Sequence, residues 1–223
     1  MKKIAVIAAM SKEIDLLKSI LVNPQYKKTP VADFLFGTLA DNQIILVQSG
    51  IGKVCAAAAL NELYHQFNPD IVLNTGAAGG LADDVFVMDV VAADMTAYYD
   101  VFCGQEIGQV QDFPRFFSAD AALLKKTQEL KIKTGLIASG DKFVTSKAEA
   151  DFIRNIYPNA LAVDMESAAI AQICFLYKLP FLCLRVISDT PGVAHHQQQY
   201  DNFWETAGEH SFQVLEKFLK LLS

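Results

Sequence analysis

Cysteine is scarce in this sequence, with four among 223 residues and no CxxC pair. The spacing therefore gives no indication of a redox pair or a thiolate metal site. The four are Cys55, Cys103, Cys174 and Cys183. Most of them lie in apolar runs, so we expect reduced, buried thiols in a cytoplasmic protein.

Runs of positive charge and long apolar stretches are also missing. The net charge is −6 and no basic run could neutralise phosphates, so we expect no nucleic-acid partner. No apolar stretch approaches the ~20 residues of a membrane helix, so we expect no membrane association. The start, "MKKIAVIAAM", has the lysines of a signal peptide, but Ser11-Lys12-Glu13 interrupts its short apolar run. A buried first strand is predicted instead.

Common nucleotide and metal motifs are absent too. "SGIGKV" has Val47 and Val54 where a phosphate-binding P-loop needs Gly and Ser or Thr, and "GAAGG" is not a dinucleotide GxGxxG. His195 and His196 have no partner at ligand spacing, and no HExxH is present. We therefore expect no metal and no cofactor.

What the sequence does contain is 52% hydrophobic residues in alternating strand-like and helix-like segments. This predicts a single domain over residues 1–223, of the α/β class. We expect three α/β/α layers around a central mixed, largely parallel sheet. The segments include a helix from Lys12 to Leu21, a hairpin around Asp41-Asn42, and a helix capped by Ser146 with Glu149 three residues later. The end is an amphipathic helix whose apolar face carries Phe203, Ala207, Val214, Phe218 and Leu221.

Acids, glycines and apolar residues follow six of the predicted strands. In open α/β sheets, ligands bind at the carboxyl ends of strands, so these segments are expected to meet at one edge. The segments are Met10 to Glu13, Ser49 to Lys53, Thr75 to Gly80, Ser139 to Val144, Asp164 to Glu166, and Ser188-Asp189. Helix capping explains one such end easily, but six together predict a binding site.

The stretch "LAVDMESAAIA", residues 161–171, leaves two interpretations open. Asp164 and Glu166 stand where a buried strand meets a helix, and acids in a first turn suit the helix dipole. They are equally placed to bind a ligand at a strand end.

Together, the motifs resemble a known family over nearly the whole chain. "AAM-x-x-E" at 8–13, "SGIGKV" at 49–54, "NTGAAGG" at 74–80, "SGDKFV" at 139–144, "VDMESAAIA" at 163–171 and "RVISD" at 185–189 stand in the order and spacing of the 5′-methylthioadenosine/S-adenosylhomocysteine nucleosidases. These enzymes belong to the nucleoside phosphorylase superfamily. The resemblance implies hydrolysis of an N-glycosidic bond that releases adenine from a thio-substituted ribose.

The resemblance also implies catalytic roles. Asp189 would be the acid that protonates the adenine N7, and Ser188 would orient its carboxyl group. Glu13 would be the base that activates water. Each also has a structural interpretation, since Asp189 could be a turn residue, Ser188 could form an ST-turn, and Glu13 could be a solvated acid of a first helical turn.

Further residues would bind the substrate by resemblance. Glu166 would accept hydrogen bonds from the ribose hydroxyls, with Met165 beneath the sugar. Phe143 would stack on adenine, and the Val144 backbone would read the base edge. The remaining expected contacts are Met10, Ile51, Ala78, Gly79 and Tyr200. For the apolar residues, core packing is the alternative interpretation, and Arg185 is expected to pair with one of the carboxylates.

The hydrolase is favoured over a phosphorylase because Glu13 would repel phosphate, whereas a carboxylate can deprotonate water. Phosphorolysis and hydrolysis of aminofutalosine are the alternatives among enzymes, and an adenine-nucleoside sensor is the non-enzyme alternative. Ala77 and Asp164 depart from the Ser and Glu that are common in the family, and the segment "YYDVFCGQEIGQ" is short. We still expect a homodimer, with Phe102 or Cys103 near the partner's pocket.

Overall fold

The structure is a computed structural model that describes the backbone of residues 1–223 and the side chains of residues 1–204 and 213–223. The strands are β1 (Lys3–Ala8), β2 (Val22–Lys28), β3 (Asp33–Leu39), β4 (Asn42–Gln48), β5 (Ile71–Gly80), β6 (Val90–Tyr98), β7 (Phe117–Ser118), β8 (Lys133–Ser139), β9 (Ala160–Asp164) and β10 (Phe181–Asp189). The α-helices are α1 (Asp15–Ile20), α2 (Lys53–Phe67), α3 (Ala121–Thr127), α4 (Lys147–Ile156), α5 (Ser167–Tyr177) and α6 (His196–Leu221). Single 3-10 turns cover Ser11–Glu13 and Gln128–Leu130.

All these strands join one sheet, in the order β10-β6-β8-β9-β5-β1-β4-β3-β2, with β7 beside β6. Because β10 also pairs with β5, the strands β5, β9, β8, β6 and β10 form a closed ring. β1, β4, β3 and β2 extend from that ring as an open sheet. The ring therefore brings the ends of β5, β9 and β10 close together.

The expected central mixed sheet is confirmed, but its parallel pairings do not outnumber the antiparallel ones. Within the described part of the chain, five pairings are parallel and five are antiparallel. Two antiparallel pairings come from the meander β2-β3-β4, which contains the predicted hairpin. The sequence pattern did not reveal β2 because all seven of its residues are exposed, so it lacks the apolar alternation of a half-buried strand.

The core consists of side chains on both faces of the sheet. Along β1, Ala5 and Ile7 pack with residues of α2 and α5, while Ile4, Val6 and Ala8 pack with residues of α1, α3 and α6. This alternation follows from the two-residue period of a strand. It explains why the first apolar run is uninterrupted, since a strand covered on both faces has no polar side to show.

The predicted helix from Lys12 to Leu21 is wrong in its first part. A 3-10 turn at Ser11–Glu13 precedes α1, and Ile14 between them is not helical. Within the 3-10 turn, the Glu13 carboxylate turns back to accept the Met10 N–H at 2.9 Å. By contrast, the Ser146 and Glu149 capping box at the start of α4 is confirmed.

The C-terminal amphipathic pattern agrees with α6 where its side chains are described. Phe203 and Phe218 are buried, and Val214 and Leu221 are partly buried. Ala207 lies outside the described side chains. Among the described residues, no helix is both long and apolar enough to span a membrane.

Two of the four cysteines differ from the expectation of burial. Cys174 and Cys183 are buried, but Cys55 and Cys103 are exposed free thiols. Cys55 lies in the first turn of α2, and Cys103 in the irregular segment after β6. An apolar neighbourhood in sequence thus did not indicate the direction in which these two side chains point.

Candidate active site

A cavity of about 380 Å³ opens where the ends of β1, β5, β9 and β10 meet. All twelve residues expected from the sequence line it, although they come from seven separate segments of the chain. They are Met10, Glu13, Ile51, Ala78, Gly79, Phe143, Val144, Met165, Glu166, Ser188, Asp189 and Tyr200. Asp164 lines the cavity as well, which therefore combines an apolar wall with four carboxyl groups.

Glu13 reaches the cavity from the 3-10 turn after β1. Its Oε2 accepts the Met10 N–H at 2.9 Å, and its Oε1 accepts the Ala77 N–H at 3.0 Å. Burial raises the pKa of the Glu13 carboxyl, while Arg185 and backbone N–H groups oppose that rise. Two backbone donors thus fix the carboxylate in one orientation.

Gly76 in β5 makes room for this arrangement. Its φ is +147°, and a Cβ there would lie 2.6 Å from Glu13 Oε1 and 3.0 Å from Arg185 Nη1. Both the backbone conformation and the close approach of the carboxylate therefore require glycine. This glycine belongs to the "NTGAAGG" segment.

Glu166 enters from the turn between β9 and α5. Its Oε1 accepts the Gly52 N–H at 3.0 Å, and its Oε2 lies 3.7 Å from Arg185 Nη2. Burial and the negative charge of Asp164 raise the pKa of the Glu166 carboxyl to about 7, although Arg185 and the Gly52 N–H favour the ionised form. This carboxyl group therefore titrates near neutral pH.

Asp164 both bonds to the start of α5 and pairs with Arg185. Its Oδ1 accepts the Ser167 N–H at 3.2 Å and the Ser167 hydroxyl at 2.9 Å. Its Oδ2 lies 2.8 Å from Arg185 Nε and 2.7 Å from Nη2. Arg185 Nη2 also donates to Asn74 Oδ1 at 2.7 Å. The carboxylate expected beside Arg185 is thus Asp164, with Glu166 more distant.

Asp189 is the last residue of β10 and is 1% exposed. Its Oδ1 accepts the Ser188 hydroxyl at 2.7 Å, and among the described residues its buried Oδ2 has no hydrogen-bond partner. Burial raises the pKa of this carboxyl, and the Ser188 hydroxyl and the charge of His196 oppose the rise. A buried carboxyl with one oxygen free is suited to sharing a proton with a ligand.

Ser188 and Asp189 both line the cavity because β10 is irregular there. Its register against β5 passes from Ile187 opposite Ala78 directly to Asp189 opposite Gly79, so Ser188 is an extra residue. Consecutive residues of a regular strand point to opposite faces, whereas a bulge changes that direction.

Aromatic side chains stand at the mouth of the cavity. Phe143 is 42% exposed, and its ring centroid lies 5.2 Å from that of Tyr200. Tyr200 in turn contacts Trp204, whose ring lies 5.7 Å from the Lys12 ammonium. An exposed aromatic surface at a cavity mouth suits a planar ligand.

The cavity also contains six residues that are not among the twelve expected contacts, namely Ala9, Ala77, Lys142, Val163, Asp164 and Pro191. Each is a direct sequence neighbour of an expected residue or lies two positions away, and all but Pro191 stand inside the quoted motifs, so the sequence already contained a signal for them. Among the described residues, no group of three or more His, Cys, Asp or Glu side chains is arranged to hold a metal ion.

Comparison with known proteins agrees with this geometry. Residues 3–220 match the family model described as the phosphorylase superfamily. The chain is similar to a 5′-methylthioadenosine/S-adenosylhomocysteine nucleosidase of Aeromonas salmonicida (strain A449), with 39% identity over 97% of this chain and 98% of the relative.

Solved structures give the same result. The chain is similar to the S-adenosylhomocysteine nucleosidase of Streptococcus pyogenes in complex with 5-methylthiotubericidin, with a TM-score of 0.95, 35% identity, and coverage of 100% of this chain and 98% of the other. It is also similar to the Streptococcus pneumoniae nucleosidase with the transition-state inhibitor MT-ImmA, with a TM-score of 0.94, 38% identity, and coverage of 99% and 100%. The match spans nearly the whole chain, including the elements that carry Glu13, Glu166 and Asp189, and this chain belongs to the 5′-methylthioadenosine/S-adenosylhomocysteine nucleosidase family of the phosphorylase superfamily.

Proposed function

We propose that this protein hydrolyses the N-glycosidic bond of 5′-methylthioadenosine and S-adenosylhomocysteine, releasing adenine and the thio-ribose. The observation that carries the proposal is the convergence of Glu13, Glu166 and Asp189 on one mostly apolar cavity. Relatives that this chain matches over nearly their full length are named for that activity. Cleavage through a cationic sugar needs an acid at the leaving group and a base at the water.

Asp189 is the proposed acid. Its raised pKa keeps a proton on the carboxyl at a higher pH than in a free Asp side chain. The hydrogen bond from Ser188 to Oδ1 leaves Oδ2 as the oxygen to donate that proton to the adenine N7. Protonated adenine is a better leaving group because it departs with its bonding electrons as a neutral base.

Glu13 is the proposed base. As the C1′–N9 bond breaks, the water oxygen bonds to C1′ and the carboxylate of Glu13 takes the water proton. Asp189 gives one proton and Glu13 receives one, so a single proton must return from Glu13 to Asp189 before the next cycle. The Met10 and Ala77 N–H groups stabilise the ionised form that accepts this proton.

Glu166 is proposed to hold the ribose. Its carboxylate would accept hydrogen bonds from the 2′- and 3′-hydroxyls and would stabilise positive charge that develops on the ring. Met165, its neighbour in the cavity wall, would pack against the sugar.

The other cavity residues would enclose the base and the 5′ substituent. Phe143 would stack on adenine and the Val144 backbone would contact its edge, beside Ala78 and Gly79. Three side chains at the mouth are proposed to contact the alkylthio group: Met10, Ile51 and Tyr200.

The charge of the cavity favours water over phosphate as the nucleophile. Among the described residues that line it, Lys142 is the only lysine or arginine, and its ammonium pairs with Glu149. A phosphate dianion would instead meet the carboxylate of Glu13, which repels it.

The deciding experiment follows adenine release from 5′-methylthioadenosine in phosphate-free buffer. We expect adenine without phosphate, and no increase when phosphate is added. Adenine that forms only with phosphate would indicate a phosphorylase. Absence of adenine in both buffers, with tight nucleoside binding, would indicate a sensor. S-adenosylhomocysteine, 5′-deoxyadenosine and aminofutalosine, assayed in parallel, would rank the substrates.

We also propose a larger organisation for the molecule. Residues 1–223 would form one domain in an α/β/α arrangement, with α2 and α5 in one outer layer and α1, α3 and α6 in the other. The side chains of β1 support this, because they alternate between two core clusters.

A homodimer is proposed because Phe102 and Phe152 are exposed around a second hollow of about 440 Å³, which shares Lys142 and Val144 with the cavity. A cytoplasmic location stays a prediction of the sequence.

A further inference from the structure

Outside the proposed catalytic groups, three charged side chains form a network beside the cavity. The Lys53 ammonium lies 2.9 Å from both carboxylate oxygens of Asp100 and 3.7 Å from Asp141 Oδ2. Asp100 Oδ2 also accepts the Asp141 N–H at 2.8 Å. The network joins the end of β6, the loop after β8 and the start of α2.

Asp141 caps α2 from a distant segment. Its Oδ1 accepts the backbone N–H of Lys53 at 2.8 Å, although 88 residues separate the two. The capping position itself is Gly52, which has no side chain to offer. An outside carboxylate therefore satisfies one of the free N–H groups of this helix and suits the positive end of its dipole.

The adjacent N–H belongs to Gly52 and is the donor that holds Glu166 Oε1 at 3.0 Å. Gly52 has a φ of +92°, and a Cβ there would lie 3.0 Å from Asp141 Oδ1. Asp141 fixes the turn at Gly52 because it accepts the N–H of the next residue, Lys53. The direction of the Gly52 N–H therefore depends on Asp141. Asp141 also lies two residues before Phe143, in the loop proposed to bind adenine. Its carboxylate therefore connects that loop to Glu166, the proposed ribose ligand.

We propose that Asp141 is a positioning residue, which fixes the start of α2 so that the Gly52 N–H holds the Glu166 carboxylate in the orientation that ribose binding needs. This inference rests on the proposed function for the role of Glu166. Asp141 acts through Gly52 and Glu166.

A double-mutant cycle tests this coupling. We expect Asp141→Ala to lower kcat/KM for 5′-methylthioadenosine by about tenfold, the size of one hydrogen bond to a charged group. In a Glu166→Ala background the same change should cost less than about twofold, because its target is gone. Asp84→Ala, which removes an exposed ion pair with Lys133, serves as the matched control and should leave kcat/KM unchanged. Equal losses in both backgrounds would overturn the proposal.

The pKa of Glu166 provides a second measurement that does not depend on turnover. The groups that act on this carboxyl are Asp164, Glu13, Arg185 and the Gly52 N–H. Loss of the Gly52 hydrogen bond raises the pKa of Glu166, whereas mere loss of the Asp141 charge lowers it. In ¹³C-carboxyl NMR titrations we expect Asp141→Ala to raise the pKa of Glu166 by about one pH unit. Asp141→Asn, which keeps the Oδ1 acceptor, should not raise it.

The two measurements separate the two hypotheses. A lowered or unchanged pKa in Asp141→Ala would overturn the positioning role, even in a fully active enzyme. A wild-type protein that releases no adenine, together with a raised pKa in Asp141→Ala, would overturn the proposed function and would support Asp141 as the residue that positions Glu166.

Discussion

Three carboxyl groups of the cavity differ in what their oxygens contact. Both oxygens of Glu13 accept backbone N–H groups, Glu166 accepts one such group and lies near Arg185, and Asp189 keeps one oxygen without a partner among the described residues. Proteins assign acid and base roles to similar side chains by placing them in environments that shift their pKa values apart. The buried Asp189 Oδ2, which has no partner among the described residues, is thus suited to donate the proton.

The substitution Asp189→Asn tests the acid role. The amide would keep the shape of the side chain but could not transfer a proton, so we expect kcat to fall by roughly a hundredfold to ten-thousandfold. Binding of a nucleoside analogue, measured by calorimetry, should persist. Asp41→Asn, in the exposed hairpin turn, is the control. Turnover close to that of the wild type would exclude Asp189 as the acid.

Glu166 also makes folding stability depend on pH. Its pKa is about 7 in the folded protein against 4.5 as the ordinary value, so the folded state binds this proton more tightly. The stabilisation is complete below pH 4.5 and is lost as the pH rises through 7.

Glu166→Gln should therefore raise the free energy of unfolding above pH 7, by at most about 3 kcal/mol. Below pH 4.5 the variant and the wild type should unfold alike, since both side chains are neutral. Chemical denaturation below pH 4.5 and above pH 7 measures the free energy of unfolding of the variant and of the wild type in each range. A variant that is less stable than the wild type in the alkaline buffer would contradict the raised pKa.

At the scale of elements, local signals were predicted well and remote partners were not. The capping box of α4 lies within four residues, so the sequence contains all of it. The break before α1 was missed because Glu13, which reads as a first-turn helix acid, also bonds to Ala77, 64 residues away. The partner of Arg185 depended on the placement of β9 and β10 around the ring, which no local pattern specifies.

The cap of α4 gives a prediction at this scale. Ser146→Ala removes the acceptor for the Glu149 N–H and should cost about 1 kcal/mol of stability. For a chain of this length that lowers Tm by about 2–4 °C, which differential scanning calorimetry resolves. Ser146→Asp preserves the cap and should retain the wild-type Tm. Equal Tm values for all three proteins would show that the cap contributes no stability.

At the scale of the whole molecule, the site depends on convergence of distant segments. The family motifs at the strand ends contain eleven of the twelve expected cavity contacts, because strands that meet at one edge bring their ends together, and the resemblance alone added Tyr200 from α6. The closed ring was not predictable, since it depends on the pairings of β10 with β5 and β6. The even mixture of strand directions was missed because it also depends on the unrecognised strand β2 and on the short antiparallel pairings of β5 with β9 and β6 with β7.

The proposed homodimer is tested by Phe102→Asp. Phe102 is 68% exposed, and a buried charge at an interface without a partner is costly. Sedimentation should give twice 24.5 kDa for the wild type and 24.5 kDa for the variant. Tyr26→Asp, at an exposed position of β2, should remain dimeric. A monomeric wild type would rule out the homodimer.

The extra residue at Ser188 has a consequence for protein engineering. On a regular strand, neighbouring side chains point to opposite faces, so a Ser-Asp pair placed there by substitution would send one group away from the cavity. The bulge in β10 directs both inward. To transfer this acid with its orienting hydroxyl to another scaffold, a designer must therefore insert a residue as well as exchange side chains.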